Sequence, residues 1–196
     1  MSRLIGTFFC CSSPSYNYII MEKISVLPPE KALGKSKELY EAINKKLGML
    51  PNMMKVMGNS PAVLNGYWSF CNALGQSAIG ARMAELIALA VSGRNNCLYC
   101  ATAHTFIAAK IYGIDPDTIY KARMGKSDNR KVQAVLAFVM DLIENGGKVS
   151  DDYIDALKKE GFDMGAITEI IAHTALITFT NFINNASKVD VDFPFI

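Results

Sequence analysis

The chain has 196 residues, of which 51% are apolar and 19% are charged, and its formal net charge is +2 at pH 7. The apolar content is too high for a disordered chain, and the length suits one compact domain with a sizeable core. Because acidic and basic residues nearly balance, charge gives no reason to expect nucleic acid or an anionic membrane as a partner.

The mean hydropathy of the chain has two possible explanations, membrane-spanning helices or apolar surface buried between subunits. The mean hydropathy of +0.18 is slightly high for a water-soluble monomer. A membrane span needs roughly 20 consecutive apolar residues, whereas the best uninterrupted runs are residues 86–91 and 134–140, and His173 and several threonines interrupt the apolar stretch 170–182. We therefore expect no membrane span, and we assign the surplus apolar surface to helix faces buried within the protein or between subunits of a homo-oligomer.

Residues 1–20 differ from the rest of the chain. They contain Arg3, a short apolar patch over residues 4–11 and then a polar stretch rich in serine. A signal peptide would have a longer apolar centre and a cleavage site with small residues. We predict a poorly ordered extension over residues 1–20 that precedes a single domain over residues 21–196, and we expect the protein to be cytoplasmic.

Helical patterns dominate from residue 29 onward. Residues 31–49 place apolar side chains on one face, which predicts an amphipathic helix that ends before Pro51. A short helical turn over residues 53–57 follows. Ser60 before Pro61 is a signal for a helix start, and that helix is predicted to extend to about residue 77.

Six further helices are predicted in the remaining sequence. Five of them cover residues 81–93, 97–111, 127–145, 150–160 and 164–184, with the last one nearly apolar on all sides, and Asp115-Pro116 caps a short helix between the second and the third of these. No stretch shows the alternation of a strand, and no repeat has the length of a solenoid unit. The sequence predicts an all-α fold of seven to nine helices.

The pair Cys97-Leu98-Tyr99-Cys100 and the nearby His104 form the most informative cluster. At about 100° per residue, Cys97, Cys100 and His104 fall within roughly 60° of one another on one helix face. The positive end of the helix dipole stabilises a thiolate, and His104 lies one turn beyond Cys100, where it can accept a proton. Two such thiols can cycle between dithiol and disulfide. The spacing favours a redox-active pair.

Other interpretations of the same residues were weighed. Haem attachment requires a histidine directly after the second cysteine, where this chain has Ala101. Structural zinc would take Cys97, Cys100 and His104 from a single helix, and the chain has no second C-x-x-C and no H-x-x-x-H. Two buried, inert cysteines beside a core histidine are the remaining alternative. The zinc and inert interpretations stay open, and we expect no metal.

Several isolated residues carry weaker signals. Glu85 interrupts an apolar segment, and this local pattern alone favours an exposed position. His173 lies in an apolar helix and is expected to be a core histidine with a hydrogen-bond partner. Cys71, in an aromatic-rich stretch, is expected to be an inert core thiol. No G-x-G-x-x-G or P-loop pattern is present, so we expect no bound nicotinamide, flavin or other cofactor.

Together, Glu85, the pair Cys97 and Cys100, and His104 resemble the Glu…CxxC…His signature of the alkylhydroperoxidase D-like (AhpD-like) proteins of the carboxymuconolactone decarboxylase superfamily. The peroxidase-related branch is the most similar. Further matching stretches are residues 47–52, 60–64, 85–92 and 190–194. The resemblance extends from about residue 21 to residue 196.

The resemblance implies an all-α AhpD-like bundle, obligate oligomers and thiol-dependent reduction of hydroperoxides. It makes Cys100 the attacking thiol, Cys97 the resolving thiol, and Glu85 and His104 a proton relay. Geometry alone leaves the two thiols open, because the helix dipole favours Cys97 and His104 favours Cys100. Tyr99 stands where these proteins often have a histidine.

These implications lead to one functional hypothesis and one alternative. We expect a peroxidase or disulfide oxidoreductase that reduces small organic hydroperoxides and is regenerated by an external dithiol. Lactone decarboxylation is not expected, because the decarboxylases of the superfamily lack the cysteine pair. The alternative is a non-catalytic oligomeric module in which the cysteines sense redox state or bind metal.

Overall fold

The computed structural model describes residues 24–196, so the extension predicted over residues 1–20 lies outside the described residues. Within residues 24–196 there are nine α-helices, a short 3-10 turn at Pro29–Lys31 and no strand, which confirms the all-α class. The helices are α1 Gly34–Leu47, α2 Asn52–Met57, α3 Pro61–Leu74, α4 Ala81–Arg94, α5 Leu98–Lys110, α6 Pro116–Arg123, α7 Arg130–Glu144, α8 Asp151–Lys159 and α9 Met164–Ser187.

Side-chain caps set several of the helix starts. The Ser60 hydroxyl accepts the backbone N–H of Val63, and the Asp115 carboxylate accepts that of Thr118, as the sequence predicts for α3 and α6. The helix predicted from residue 127 starts at Arg130, because the Asn129 side chain accepts the Val132 N–H and ends the preceding turn. The helix predicted from Cys97 starts at Leu98 for a similar reason given below.

Helix α4 is the centre of the packing. All residues from Leu86 to Ser92 are buried, and α4 packs against α5, α6, α7 and α9. A side chain on Gly93 would overlap the Arg123 carbonyl oxygen at the end of α6, so glycine permits the close approach of these two helices. The central position of α4 holds Glu85 and its α5 neighbours in fixed places.

Helix α9 is the longest helix and combines core and surface positions. It is the one helix in the described part of the chain that is long and apolar enough to cross a membrane. However, 44% of its most apolar stretch is buried inside the protein, and core helices of globular folds meet the same criterion. This is weak evidence for a membrane span. Asn181 and Asn184 lie on the buried side of α9.

Candidate active site

Helices α4 and α5 form a helical hairpin that presents the cysteine pair. Asn96, in the short connection, has a left-handed backbone with φ of 50°, a conformation that asparagine tolerates better than most residues. The backbone N–H of Cys97 then donates to the Ser92 carbonyl at 3.0 Å. This turn places Cys97 directly before the first residue of α5.

Cys97 and Cys100 form a disulfide across the first turn of α5. Cys97 is the N-cap of the helix rather than its first turn, because its backbone is extended and its Sγ accepts the Cys100 N–H at 3.3 Å. The prediction that the helix includes Cys97 is therefore wrong by one residue. Both cysteines are buried. The pair is thus arranged for the dithiol–disulfide chemistry that the spacing favours.

Glu85 and His104 pair across the hairpin. The Glu85 Oε2 atom lies 2.8 Å from His104 Nδ1, and the two side chains are only 14% and 19% exposed. The exposed position that the local pattern favours for Glu85 is therefore wrong. Because an ionised carboxylate only accepts hydrogen bonds, Nδ1 donates and Nε2 is the ring nitrogen that can exchange a proton.

A cavity of about 360 Å³ opens beside this pair. Its wall includes Cys100, Glu85 and His104, whereas the described residue Cys97 is not part of it. Most of the remaining wall is apolar or aromatic, with side chains from Met53, Met54, Tyr67, Trp68, Tyr99 and Phe193. A pocket of this size and character suits a small organic molecule.

Two residues expected in the core also contact this cavity. His173 is buried, and its Nε2 lies 3.0 Å from the Ser77 hydroxyl, which confirms the partnered histidine; burial lowers its pKa. Cys71 is a free, half-buried cysteine in the cavity wall. Burial raises the pKa of the Cys71 thiol, so this thiol stays protonated and weakly nucleophilic at neutral pH.

Asn184 is a site residue that the sequence analysis missed. Its Nδ2 atom donates to Cys100 Sγ at 3.0 Å, and the residue is 3% exposed and lines the cavity. The contact joins residues 84 positions apart. A signal was present, because an asparagine on the apolar α9 must find a polar partner when it is buried.

The C-terminal residues after α9 also reach the cysteine pair. Asp192 accepts the Tyr99 hydroxyl at 2.7 Å through Oδ1, and the Asn52 backbone N–H at 2.7 Å through Oδ2. Phe193 packs edge-on against the Tyr99 ring, with centroids 5.8 Å apart. Burial and the Asp192 hydrogen bond raise the pKa of Tyr99. Tyr99, one of the two residues between the cysteines, is therefore a neutral anchor for the C-terminal tail.

The described residues contain no group of three or more His, Cys, Asp or Glu side chains positioned to hold a metal ion. The structure therefore gives the zinc interpretation of Cys97, Cys100 and His104 no ligand set.

One family model matches the part of the chain that contains this site. The model of the carboxymuconolactone decarboxylase family matches residues 61–140, which include both cysteines, Glu85 and His104. No curated protein matches the chain.

Solved structures share the fold across most of the chain. A peroxidase-related protein from Silicibacter sp. TM1040 is 23% identical with a TM-score of 0.75, and the match covers 87% of this chain and 92% of that one. A second, from Ralstonia eutropha JMP134 and described as an alkylhydroperoxidase AhpD core, is 23% identical with a TM-score of 0.77 and coverages of 87% and 93%.

A third similar structure is the debrominase Bmp8. It is 22% identical with a TM-score of 0.72, and the match covers 86% of this chain and 91% of that one. A cysteine-to-alanine variant of Bmp8 is also known in complex with 2,3,4-tribromopyrrole. At these identities the structures establish the fold alone. The chain is therefore similar to the carboxymuconolactone decarboxylase family over residues 61–140, and it shares its overall fold with the AhpD-like structures.

Proposed function

We propose that this protein is a thiol-dependent peroxidase that reduces small organic hydroperoxides through Cys97 and Cys100. The observation that carries the proposal is the shared cavity: Cys100, one half of a C-x-x-C disulfide, lies in the same apolar wall as the Glu85–His104 pair. A reducible sulfur, a proton-exchanging group and room for an organic molecule are the parts that the reaction needs.

The catalytic cycle starts from the dithiol. The Cys100 thiolate attacks the terminal oxygen of the hydroperoxide, which breaks the O–O bond and gives a sulfenic acid and an alkoxide. The alkoxide takes a proton and leaves as the alcohol. The Cys97 thiolate then attacks the Cys100 sulfur and displaces hydroxide, which is protonated to water. The peroxide gains two electrons, and the two sulfurs lose them as the disulfide forms.

Glu85 and His104 supply the proton transfers. In the resting dithiol, His104 takes the Cys100 proton, and the Glu85 carboxylate at 2.8 Å stabilises the resulting imidazolium. The same proton then goes to the departing alkoxide. Removing the charge of Glu85 would therefore weaken both the formation of the thiolate and the protonation of the leaving group.

Access to the cavity supports Cys100 as the attacking thiol. Both cysteines belong to the buried cluster formed with α1, α2 and α3, but only Cys100 lines the cavity. A hydroperoxide in the cavity would meet the Cys100 sulfur first. Because most of the wall is apolar, we propose that organic hydroperoxides react faster than hydrogen peroxide.

An external dithiol closes the cycle by thiol–disulfide exchange with the Cys97–Cys100 disulfide. We propose that this occurs in the cytoplasm, where dithiol systems keep thiols reduced.

We also propose a homo-oligomer as the working form. Helix α9 exposes the large apolar side chains of Met164, Ile171 and Phe182, which a second copy of the chain would cover. Sedimentation velocity tests this proposal, and a monomer at micromolar concentration would contradict it.

Steady-state turnover tests the proposed activity. The purified protein is mixed with cumene hydroperoxide and dithiothreitol, and peroxide loss is followed in the wild type, C100S and C71S. We expect C100S to lose turnover by at least about a thousandfold, because no other group replaces the nucleophile. C71S removes a thiol from the same cavity wall and leaves the disulfide pair intact, so it controls for non-specific thiol loss and should retain measurable turnover.

The same purified proteins, assayed for peroxide turnover, thiol reactivity and zinc content, distinguish the peroxidase from a redox-sensing or metal-binding module. Consumption of many peroxide molecules per protein supports the peroxidase. Stoichiometric zinc with unreactive thiols, or a single oxidation without turnover, would contradict it and favour the module.

A second candidate activity is reductive dehalogenation of a small aromatic ring. The aromatic wall formed by Tyr67, Trp68 and Tyr99 favours it, and a protein of similar fold is a debrominase. The two electrons would come from the same dithiol, which would become the disulfide as bromide leaves and a proton replaces it. Release of bromide from a brominated pyrrole in the presence of dithiothreitol would show this activity.

A further inference from the structure

Helix α9 carries two buried asparagines one turn apart, and their environments differ. Asn181 is fully buried and has a partner at each end of its amide: its Oδ1 accepts from Asn95 at 3.0 Å, and its Nδ2 donates to the Ser92 hydroxyl at 3.5 Å. Asn181 thereby ties α9 to the α4–α5 hairpin. This is the arrangement expected of a structural buried amide.

Asn184 does not have such an arrangement. Its Nδ2 donates to Cys100 Sγ at 3.0 Å, and no described residue donates to its buried Oδ1. A buried acceptor without a partner costs free energy of folding, and an apolar side chain of similar shape would avoid that cost. Packing therefore does not explain why an asparagine occupies this position. The amide N–H that faces the sulfur explains it.

The chemistry of the sulfur fixes which way the amide faces. A disulfide sulfur and a thiolate can accept a hydrogen bond but cannot donate one, so the amide nitrogen faces Cys100 in the disulfide and in the thiolate form. When the disulfide is reduced and Cys100 ionises, the same contact becomes a hydrogen bond to a charged acceptor. Such a bond is stronger than one to a neutral group and favours the ionised form of the thiol.

We infer that Asn184 is a catalytic residue that stabilises the thiolate at Cys100 and so selects Cys100, rather than Cys97, as the attacking thiol. The start of α5 by itself favours Cys97, whose Sγ accepts the Cys100 N–H at 3.3 Å. The Asn184 amide supplies a second donor from outside the motif, at 3.0 Å, and directs it to the sulfur that faces the cavity.

The inference rests on the proposed function in taking Cys100 as the attacking thiol, but its test does not depend on turnover. The readout is the pH dependence of iodoacetamide reaction at Cys100 in the C97S background. Trypsin releases Cys100 in the peptide 95–110, so mass spectrometry separates it from the other cysteines. The leucine variants leave the other titratable groups of the cavity wall unchanged: Glu85 from α4, His104 and Tyr99 from α5, Tyr67 and Cys71 from α3, Tyr112 after α5 and His173 from α9.

Two leucine variants give opposite expectations. N184L keeps the volume, removes the donor and removes the unpaired Oδ1, so its melting temperature should not fall. The pH at which the iodoacetamide reaction of Cys100 reaches half of its maximal rate should rise by about one to two units in N184L, because the thiolate loses a hydrogen bond. N181L breaks two partnered hydrogen bonds, so its melting temperature should fall while the Cys100 midpoint stays at the wild-type value.

A second variant covers the case in which N184L does not fold. N184D keeps the shape of the side chain but replaces the donor with a carboxylate, so the midpoint should rise at least as far as expected for N184L. All of these variants are made in the C97S background. Equal pH midpoints of the Cys100 reaction in the C97S parent, in N181L and in the Asn184 variants would overturn the inference. A shifted midpoint in a protein that does not turn over hydroperoxides would uphold the inference and reject the proposed peroxidase function.

Discussion

Two segments build the candidate site, and they differ in how it is encoded. The motif segment, α4 and α5 over residues 81–110, carries Glu85, Cys97, Cys100 and His104 within one helical hairpin. The C-terminal segment, residues 164–196, lies outside the family match, yet it places Asn184 on the Cys100 sulfur and Asp192 on the Tyr99 hydroxyl. The candidate reacting groups are thus local in sequence, whereas part of their environment comes from distant residues.

The difference follows from how far apart along the chain the contacting residues lie. Spacing along one helix fixes which side chains share a face, so the motif segment can be recognised in a sequence. The contact between Asp192 and Asn52 joins residues 140 positions apart, and it exists only after the chain has folded. Contacts of this kind cannot be recognised from the spacing of residues along one helix.

Within this comparison, substitution of His104 in the motif segment is expected to have the largest effect on turnover. We expect H104Q to lower turnover of cumene hydroperoxide by about a hundredfold, the usual contribution of a positioned acid–base group. E85Q, which keeps the side chain in place but removes its charge, should lower turnover by about tenfold. Steady-state rates with dithiothreitol measure both. Turnover in H104Q close to that of the wild type would contradict the proposed role of His104 in proton transfer.

The C-terminal segment should contribute stability more than rate. D192A removes the acceptor for the Tyr99 hydroxyl and for the first backbone N–H of α2, so we expect the free energy of unfolding to fall by about 1–2 kcal/mol. Y99F is the comparison variant, because it keeps the Asn52 contact of Asp192; it removes the hydroxyl that donates to Asp192 and accepts the Met53 N–H at 3.4 Å, so it should also lower the stability. Urea denaturation measures the difference, and equal stabilities in the wild type, D192A and Y99F would contradict the anchoring role of the tail.

The smallest effect concerns His173, which belongs to the C-terminal segment and contacts the cavity. Burial lowers the pKa of His173 below its usual value of 6.5. As the pH falls below 6.5, the unfolded chain binds a proton that the folded protein does not, so the free energy of unfolding falls until the lower, folded pKa is passed. Urea denaturation at neutral pH and at about pH 5 should show less loss in H173Q than in the wild type. Equal losses in the two proteins would contradict this interpretation.

The sequence predicted most of the fold and the centre of the site. Helix positions could be predicted because apolar periodicity and the caps Ser60 and Asp115 are local signals, whereas the cap at Asn129 was not predicted. The start of α5 was missed by one residue, because the sulfur of Cys97 replaces the usual oxygen cap.

Burial and long-range partners were the parts that the sequence could not supply. The local pattern placed Glu85 at the surface, whereas packing of α4 against α5 buries it beside His104. The sequence signals that the buried Asn184 needs a polar partner, but the partners of Asn184 and Asp192 could not be identified, because they lie in helices distant along the chain.

The assignment of Cys100 as the attacking thiol is the central claim, and trapping of the sulfenic acid tests it most directly. Reduced C97S and C100S are each treated with one equivalent of cumene hydroperoxide and a dimedone probe, and the peptide 95–110 is analysed by mass spectrometry. The account predicts a dimedone adduct on Cys100 in C97S and little or none on Cys97 in C100S. An adduct on Cys97 in C100S, with none on Cys100 in C97S, would contradict it.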